Sequence, residues 1–225
     1  MSRRLTLSEM VWPDDPEDSR LPVEWAESVA VQVLDWVWRG FDAVCEKHLR
    51  SADLTSHTPE QLERNLTEFH FLETSLLWAK ENGGFSSVQP CHESPELASR
   101  SSASAKPPAY DLGFVHIENR SWKWPIEAKV LSTAAAVGDY LKDVREKFIA
   151  GVAAPFVGEA GMIGYLLKGV PNEVFDKLAD ALGQPLLPVD NFKARQHRSS
   201  QYDRANAPAL RLHHLVMELM RAATS

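Results

Sequence analysis

Asp111, Glu127 and Lys129 are the residues of this chain whose types and spacing could do chemistry. They lie in the stretch Ala109–Leu131, where Tyr110–Ile117 and Trp122–Leu131 are rich in aromatic and branched residues and the polar turn Glu118–Ser121 divides them. That pattern predicts a β-hairpin. Side chains alternate across a strand, so Glu127 and Lys129 share one face while Ile126, Ala128 and Val130 take the other. The hairpin brings Asp111 near Glu127. A loop with an odd number of residues sets the two opposite each other, and an even number calls for a bulge, for which Pro125 is a reasonable place because it cannot donate to a ladder. Two carboxylates converging on one point suit a hard divalent cation, most naturally Mg²⁺, with Mn²⁺ as a substitute. The backbone carbonyl of Ala128 could complete the ligand set, and Lys129 could orient or help deprotonate a water and stabilise growing negative charge.

The elements that must position these groups are legible on either side. Val23 to about Leu49 carries Trp25, Val29, Val33, Trp36, Val37 and Phe41 near a helical period, with Gly40 loosening its last third. Thr58-Pro59-Glu60-Gln61 combines a capping hydroxyl, a proline at the first helical position and a Gln that closes a capping box. The helix it starts should run to about Lys80, ending at Glu81-Asn82-Gly83-Gly84, with Leu62, Leu66, Phe69, Leu72, Leu76 and Leu77 as its apolar set. Glu63, Glu68 and Glu73 flank that stripe. Phe85–Val88 reads as a short first strand, and Gln89–Pro108, including Arg100–Lys106, has a mobile loop's composition. After the hairpin, Ser132–Ala136 leads into a helix through Ala150 that buries Val137, Tyr140, Leu141, Val144 and Phe148. Gly161–Leu167 reads as a buried strand, and Asn172 as the start of a helix to Leu182.

Asp111, a spacer and Glu127-Ala128-Lys129 resemble the PD-(D/E)xK motif of the restriction-endonuclease-like nuclease superfamily, with Pro108 and Pro107 three and four places ahead of the Asp. The resemblance implies an α/β fold with a restriction-endonuclease-like core, a central mixed sheet flanked by helices, here with an N-terminal helical extension. It divides the chain into an arm and helix over residues 1–55 and a nuclease domain over 56–225, the helix packed on it. It implies Mg²⁺-dependent hydrolysis of phosphodiester bonds, of DNA in preference to RNA, with Asp111, Glu127 and the Ala128 carbonyl on the metal and Lys129 beside it. In that superfamily the helix before the sheet often lends a glutamate, which makes Glu63 the first candidate for a further ligand and Glu68 the second. Lys142 and Lys147, on the helix after the hairpin, become candidates for touching phosphate. Small acidic members of the superfamily are often effectors of bacterial anti-phage systems, so that role is an expectation for this chain.

Composition bounds the rest. At 225 residues, 44% of them hydrophobic and seven of them Trp, the chain can build one domain with elaborations. No apolar run is long enough to span a membrane and no leader is evident, so a cytoplasmic protein is expected. Cys45 and Cys91 form neither a disulfide framework nor a metal motif. A net charge of −7 argues against coating nucleic acid by bulk electrostatics and suggests delivery by a protein partner or a second copy. The segment Lys193–Arg211 could still form a local basic grip, with Arg195 and Arg198 as candidate nucleic-acid contacts. Adjacent His213 and His214 must point to opposite sides, a poor geometry for one metal; one is expected buried and the other free for substrate. No nucleophile elbow, phosphate loop, zinc helix or dinucleotide fingerprint occurs. The alternative to a nuclease is a non-catalytic nuclease-like scaffold that binds partners through its Trp-rich helix.

Overall fold

The structure is a computed structural model, and it describes residues 20–50, 56–82, 86–95, 109–205 and 207–219. The chain enters through helix α1 (Leu21–Val44), with a proline in its first turn, and a π-helical turn, Cys45–Leu49, extends it. All six apolar positions read from the sequence, Trp25 through Phe41, are buried. Gly40 does not loosen this helix. A Cβ there would lie 2.2 Å from Thr74 Oγ1, so the glycine lets α1 and the following helix cross at close range.

Helix α2 (Pro59–Asn82) starts on the capping box: the Thr58 N–H donates to Gln61 Oε1 at 3.1 Å, and the Gln61 N–H donates to Thr58 Oγ1 at 3.3 Å. Its inward face differs from expectation. Leu62 and Leu66 are buried, but Phe69, Leu72 and Leu76 are exposed, and the inward positions belong to Thr67, His70, Glu73 and Thr74. Polar residues hold that face because each of two key groups has a dedicated partner. The His70 Nε2–H donates to the Val37 carbonyl at 2.7 Å, which leaves Nδ1 to accept from the Tyr165 hydroxyl at 2.8 Å. Glu73 is held by Lys47 and His48.

Strand β1 spans Val88–Pro95, later than expected: the pairing begins where the short strand was read to end and takes in residues assigned to a loop. Phe85 and residues 96–108 lie outside the described residues. Strands β2 (Ala109–His116) and β3 (Lys123–Leu131) form the hairpin. The His116 N–H donates to the Trp122 carbonyl at 3.0 Å, which closes an odd-numbered loop. Leu112 pairs with Ile126 and Gly113 with Pro125, with no bulge at Pro125; the pairing ends there, one residue short of Asp111 and Glu127. Helix α3 (Gly138–Asp143) continues as a π-helical turn, Val144–Ile149, and buries the five residues anticipated for it.

Strand β4 (Glu159–Leu166) is buried throughout, as expected of a parallel strand covered on both faces. Helix α4 (Pro171–Leu182) begins one residue earlier than read, with Val170 at the cap and Pro171 at the first position, so Asn172 is not the cap. Strands β5 (Leu187–Pro188), β6 (His197–Tyr202) and β7 (Leu210–Glu218) complete a seven-stranded mixed sheet in the order β1-β2-β3-β4-β7-β6-β5. β3, β4 and β7 are parallel, and the flanks are antiparallel.

The expected α/β architecture is present: a mixed sheet flanked by helices, with an N-terminal helix. Trp36 of α1 stacks on Phe114 of β2, and Phe41 stacks on Tyr165 of β4. From the other face the Tyr140 hydroxyl of α3 donates to the Met162 carbonyl at 3.1 Å. Arg204, before β7, is buried and spends all five guanidinium donors on the carbonyls of Pro208, Phe148, Ala153, Ala154 and Val157. Among the described residues no helix is long and apolar enough to cross a membrane.

Candidate active site

The β2–β3 ladder stops at Leu112 and Ile126. Alternate N–H groups of a strand face the same neighbour, so those of Ala128 and Val130 continue along an edge that β2 no longer covers. Carboxylates take them. Asp111 Oδ2 accepts the Ala128 N–H at 2.8 Å, and Glu63 Oε2, from the first turns of α2, accepts the Val130 N–H at 3.2 Å. Two acidic side chains are thereby fixed to the backbone of β3 on either side of Lys129.

Lys129 bridges them to the opposite helix. Its ammonium donates to Glu63 Oε1 at 2.8 Å and to the Ala128 carbonyl at 2.9 Å, and lies 3.4 Å from Asp143 Oδ2 on α3. Burial disfavours its charge, but Glu63, Asp111 and Asp143 outweigh burial and raise its pKa above the ordinary lysine value. Lys129 is therefore a cation at neutral pH, suited to holding a water or steadying negative charge. As a general base it would first have to lose a tightly held proton.

Glu127 is 1% exposed. Lys147, one helical turn beyond Asp143, bonds its Oε2 at 2.8 Å and sits 3.1 Å from Asp143 Oδ2. Glu127 Oε1 is buried with no hydrogen-bond partner. Burial, then the neighbouring charge of Asp111, pushes the Glu127 carboxyl up to about 8, and Lys147 offsets them only in part. A buried acceptor left unpaired costs stability unless something else uses it.

The structure thus brings together Asp111, Glu127, Lys129 and, of the helix glutamates, Glu63. Glu68 is exposed on α2, and Glu73 is committed to Lys47 and His48. Of the lysines after the hairpin, Lys147 enters the cluster and Lys142 is exposed. Asp143 was missed. The signal for it was the Asp-x-x-x-Lys spacing that puts Asp143 and Lys147 on one face of a helix already anticipated.

The C-terminal arginines have other partners. Arg195 forms a two-pronged pair with Asp42, one arm at 2.9 Å, and lies over the Trp38 ring; Arg198 lies over Phe175. Both histidines of the adjacent pair are buried, on opposite faces, so neither is left for substrate. The Tyr140 hydroxyl and Ser200 Oγ bracket His214, at 2.9 and 2.8 Å. His213 joins a chain in which the Trp38 indole N–H donates to His197 Nδ1 at 3.3 Å, the His197 Nε2–H to His213 Nδ1 at 3.0 Å, and the His213 Nε2–H to Glu159 Oε2 at 2.8 Å. The indole can only donate, so it sets the tautomer of each ring in turn.

The donor set fits a divalent cation in charge and in type. With every group ionised, Glu63, Asp111, Glu127 and Asp143 against Lys129 and Lys147 leave a net charge of −2, and the orphaned Glu127 oxygen is a hard ligand with nothing to bind. Among the described residues no three acidic, imidazole or thiol groups already close on one point; here the two ammonium groups lie between the carboxylates. No family model, curated protein or solved structure matches the chain.

Proposed function

We propose that the chain is a Mg²⁺-dependent nuclease with a restriction-endonuclease-like core, acting on DNA in preference to RNA. The observation that carries the reading is the buried, unpartnered oxygen of Glu127 beside Asp111, at a strand end where Glu63 and Lys129 also gather. Asp111, Glu127 and the Ala128 carbonyl would hold the cation, with Glu63 as a further carboxylate. Bound there, it would supply positive charge to the scissile phosphate and lower the pKa of a water. The chain's own groups do the positioning: Asp111 and Glu63 are pinned by backbone N–H groups, and Lys129 stays protonated to orient the attacking water and stabilise the phosphorane charge. A cytoplasmic effector of an anti-phage system, delivered by a partner or as a second copy, is the biological setting proposed.

One observation favours a second reading, a non-catalytic scaffold of a nucleic-acid-processing complex. The two lysines already neutralise much of the cluster, and Asp111 and Glu63 serve as backbone caps at the end of a ladder. Incubation with supercoiled, linear and single-stranded DNA and with RNA, each with Mg²⁺, Mn²⁺ or EDTA, separates the two. Metal-dependent cleavage that disappears in Glu127→Ala and Lys129→Ala supports the nuclease. Absence of cleavage of every substrate, with and without cell extract, leaves the scaffold.

A further inference from the structure

Lys147 is unlike Lys142, the other lysine of α3 and its π-helical turn, which is exposed. It reaches back into the sheet, bonds Glu127 Oε2 at 2.8 Å and stands 3.1 Å from Asp143 Oδ2, while 28% of its side chain remains open to solvent. Asp143 Oδ2 is in turn 3.4 Å from Lys129. Glu127, whose side chain is 2% exposed, has no bulk water to supply counter-charge, and Lys147 is the cation it touches. A divalent ion within ligand distance of Glu127 would lie only a few ångströms from that ammonium, and like charges that close repel strongly where water is scarce. The charge arithmetic runs the same way: the six groups sum to −2 with Lys147 and to −3 without it.

We infer that Lys147 is a displaceable internal counter-ion: its ammonium stands beside Glu127 and Asp143, and a divalent ion held by Glu127 and Asp111 repels it and releases it to solvent at the rim of the site. Lys147 is thus a positioning residue. It holds the buried Glu127 side chain in place until the metal arrives, and metal binding then exposes a positive charge beside the place where a phosphate would dock. Cation entry and the appearance of that charge become one event. The inference rests on the cation-binding reading above and goes beyond it, since a metal could in principle bind the free Glu127 oxygen and leave the ion pair standing.

Two measurements on the full chain test it without relying on cleavage. The first is a Mn²⁺ titration, followed by the spectrum of the free ion, of the wild type, Glu127→Gln and Lys147→Met. Binding should be lost in Glu127→Gln and tightened about tenfold in Lys147→Met, which is about 1.4 kcal/mol. The second acetylates the wild type with and without saturating Mn²⁺ and quantifies the peptide carrying Lys147. The amine should be protected without metal and modified several-fold faster with it, on the order of the affinity change. If wild-type binding does not depend on Glu127, the cation site itself fails and the inference falls with it. If Glu127-dependent binding occurs but Lys147 stays protected at saturation, the inference alone is overturned, whatever Lys147→Met does. Should Lys147→Met not fold, the acetylation result decides.

Discussion

Two polar constellations lie against the sheet's central strands, one buried and one half-buried around Glu127, and they are built on opposite terms. In the chain Trp38–His197–His213–Glu159 every ring nitrogen has a partner, and each proton is directed by the donor before it. In the cluster of Glu63, Asp111, Glu127, Lys129, Asp143 and Lys147 an oxygen is orphaned, and two ammonium groups serve four carboxylates. A closed network, in which Glu159 is matched by His213 and Arg211, specifies one packing of the core. An open network of charges spends stability and leaves Glu127 Oε1 without a partner.

The largest expected effect separates the two by function. Glu127→Ala should lower Mg²⁺-dependent cleavage by about a thousandfold or more, the scale of losing a principal electrostatic group, with a melting temperature no lower than wild type. Unchanged cleavage would remove Glu127 from the site. His213→Ala should do the reverse: about 3 kcal/mol of stability lost in urea unfolding, because the buried Glu159 Oε2 and His197 Nε2 each lose their partner, while the fraction that folds still binds Mn²⁺.

The pH dependence should also set the buried imidazoles, of which His197 belongs to the closed chain, against Glu127. Burial depresses His70 to about 4 and His214 to about 3, and it depresses His197 as well. The unfolded chain takes up protons at these residues first, so stability is complete above about 6.5 and should fall by about 1.4 kcal/mol per histidine for each unit below it, until the folded pKa is reached. Glu127 works in the other direction. Its carboxyl is raised to about 8, so the unfolded chain ionises first and stability declines as pH climbs from about 4.5 toward 8. Melting curves of Glu127→Gln should lose that alkaline slope and keep the acid one; a retained alkaline slope would assign it to another group. The smallest effect expected is for Trp38→Phe, about 1 kcal/mol, from one lost hydrogen bond to His197.

What the sequence made legible was whatever depends on local periodicity. Alternation placed Glu127 beside Lys129, the odd loop brought Asp111 to the end of the paired ladder within reach of Ala128, and the capping box fixed the helix that carries Glu63. What it hid depends on how elements meet. Phe69, Leu72 and Leu76 fit an inward stripe until Tyr165 and the Val37 carbonyl, from distant elements, claim His70 and turn α2. Asp143 joins the site only because α3 crosses β3 at the height of Glu127. Arg195 resembles a grip for phosphate in a list of residues, but its counter-charge, Asp42, lies far back in the chain on α1. Local pattern identifies the strands that carry Asp111, Glu127 and Lys129; the tertiary crossing decides which charges they meet.

Arg204 ties these scales together. Its guanidinium holds the carbonyl of Phe148, the residue next to Lys147, along with three carbonyls of the turn that leads into β4. The span from Lys147 to Arg204 is long in sequence and short in space. The rim of the acidic cluster is therefore moored, through the carbonyl beside Lys147, to the connection between β6 and β7 on the other half of the sheet.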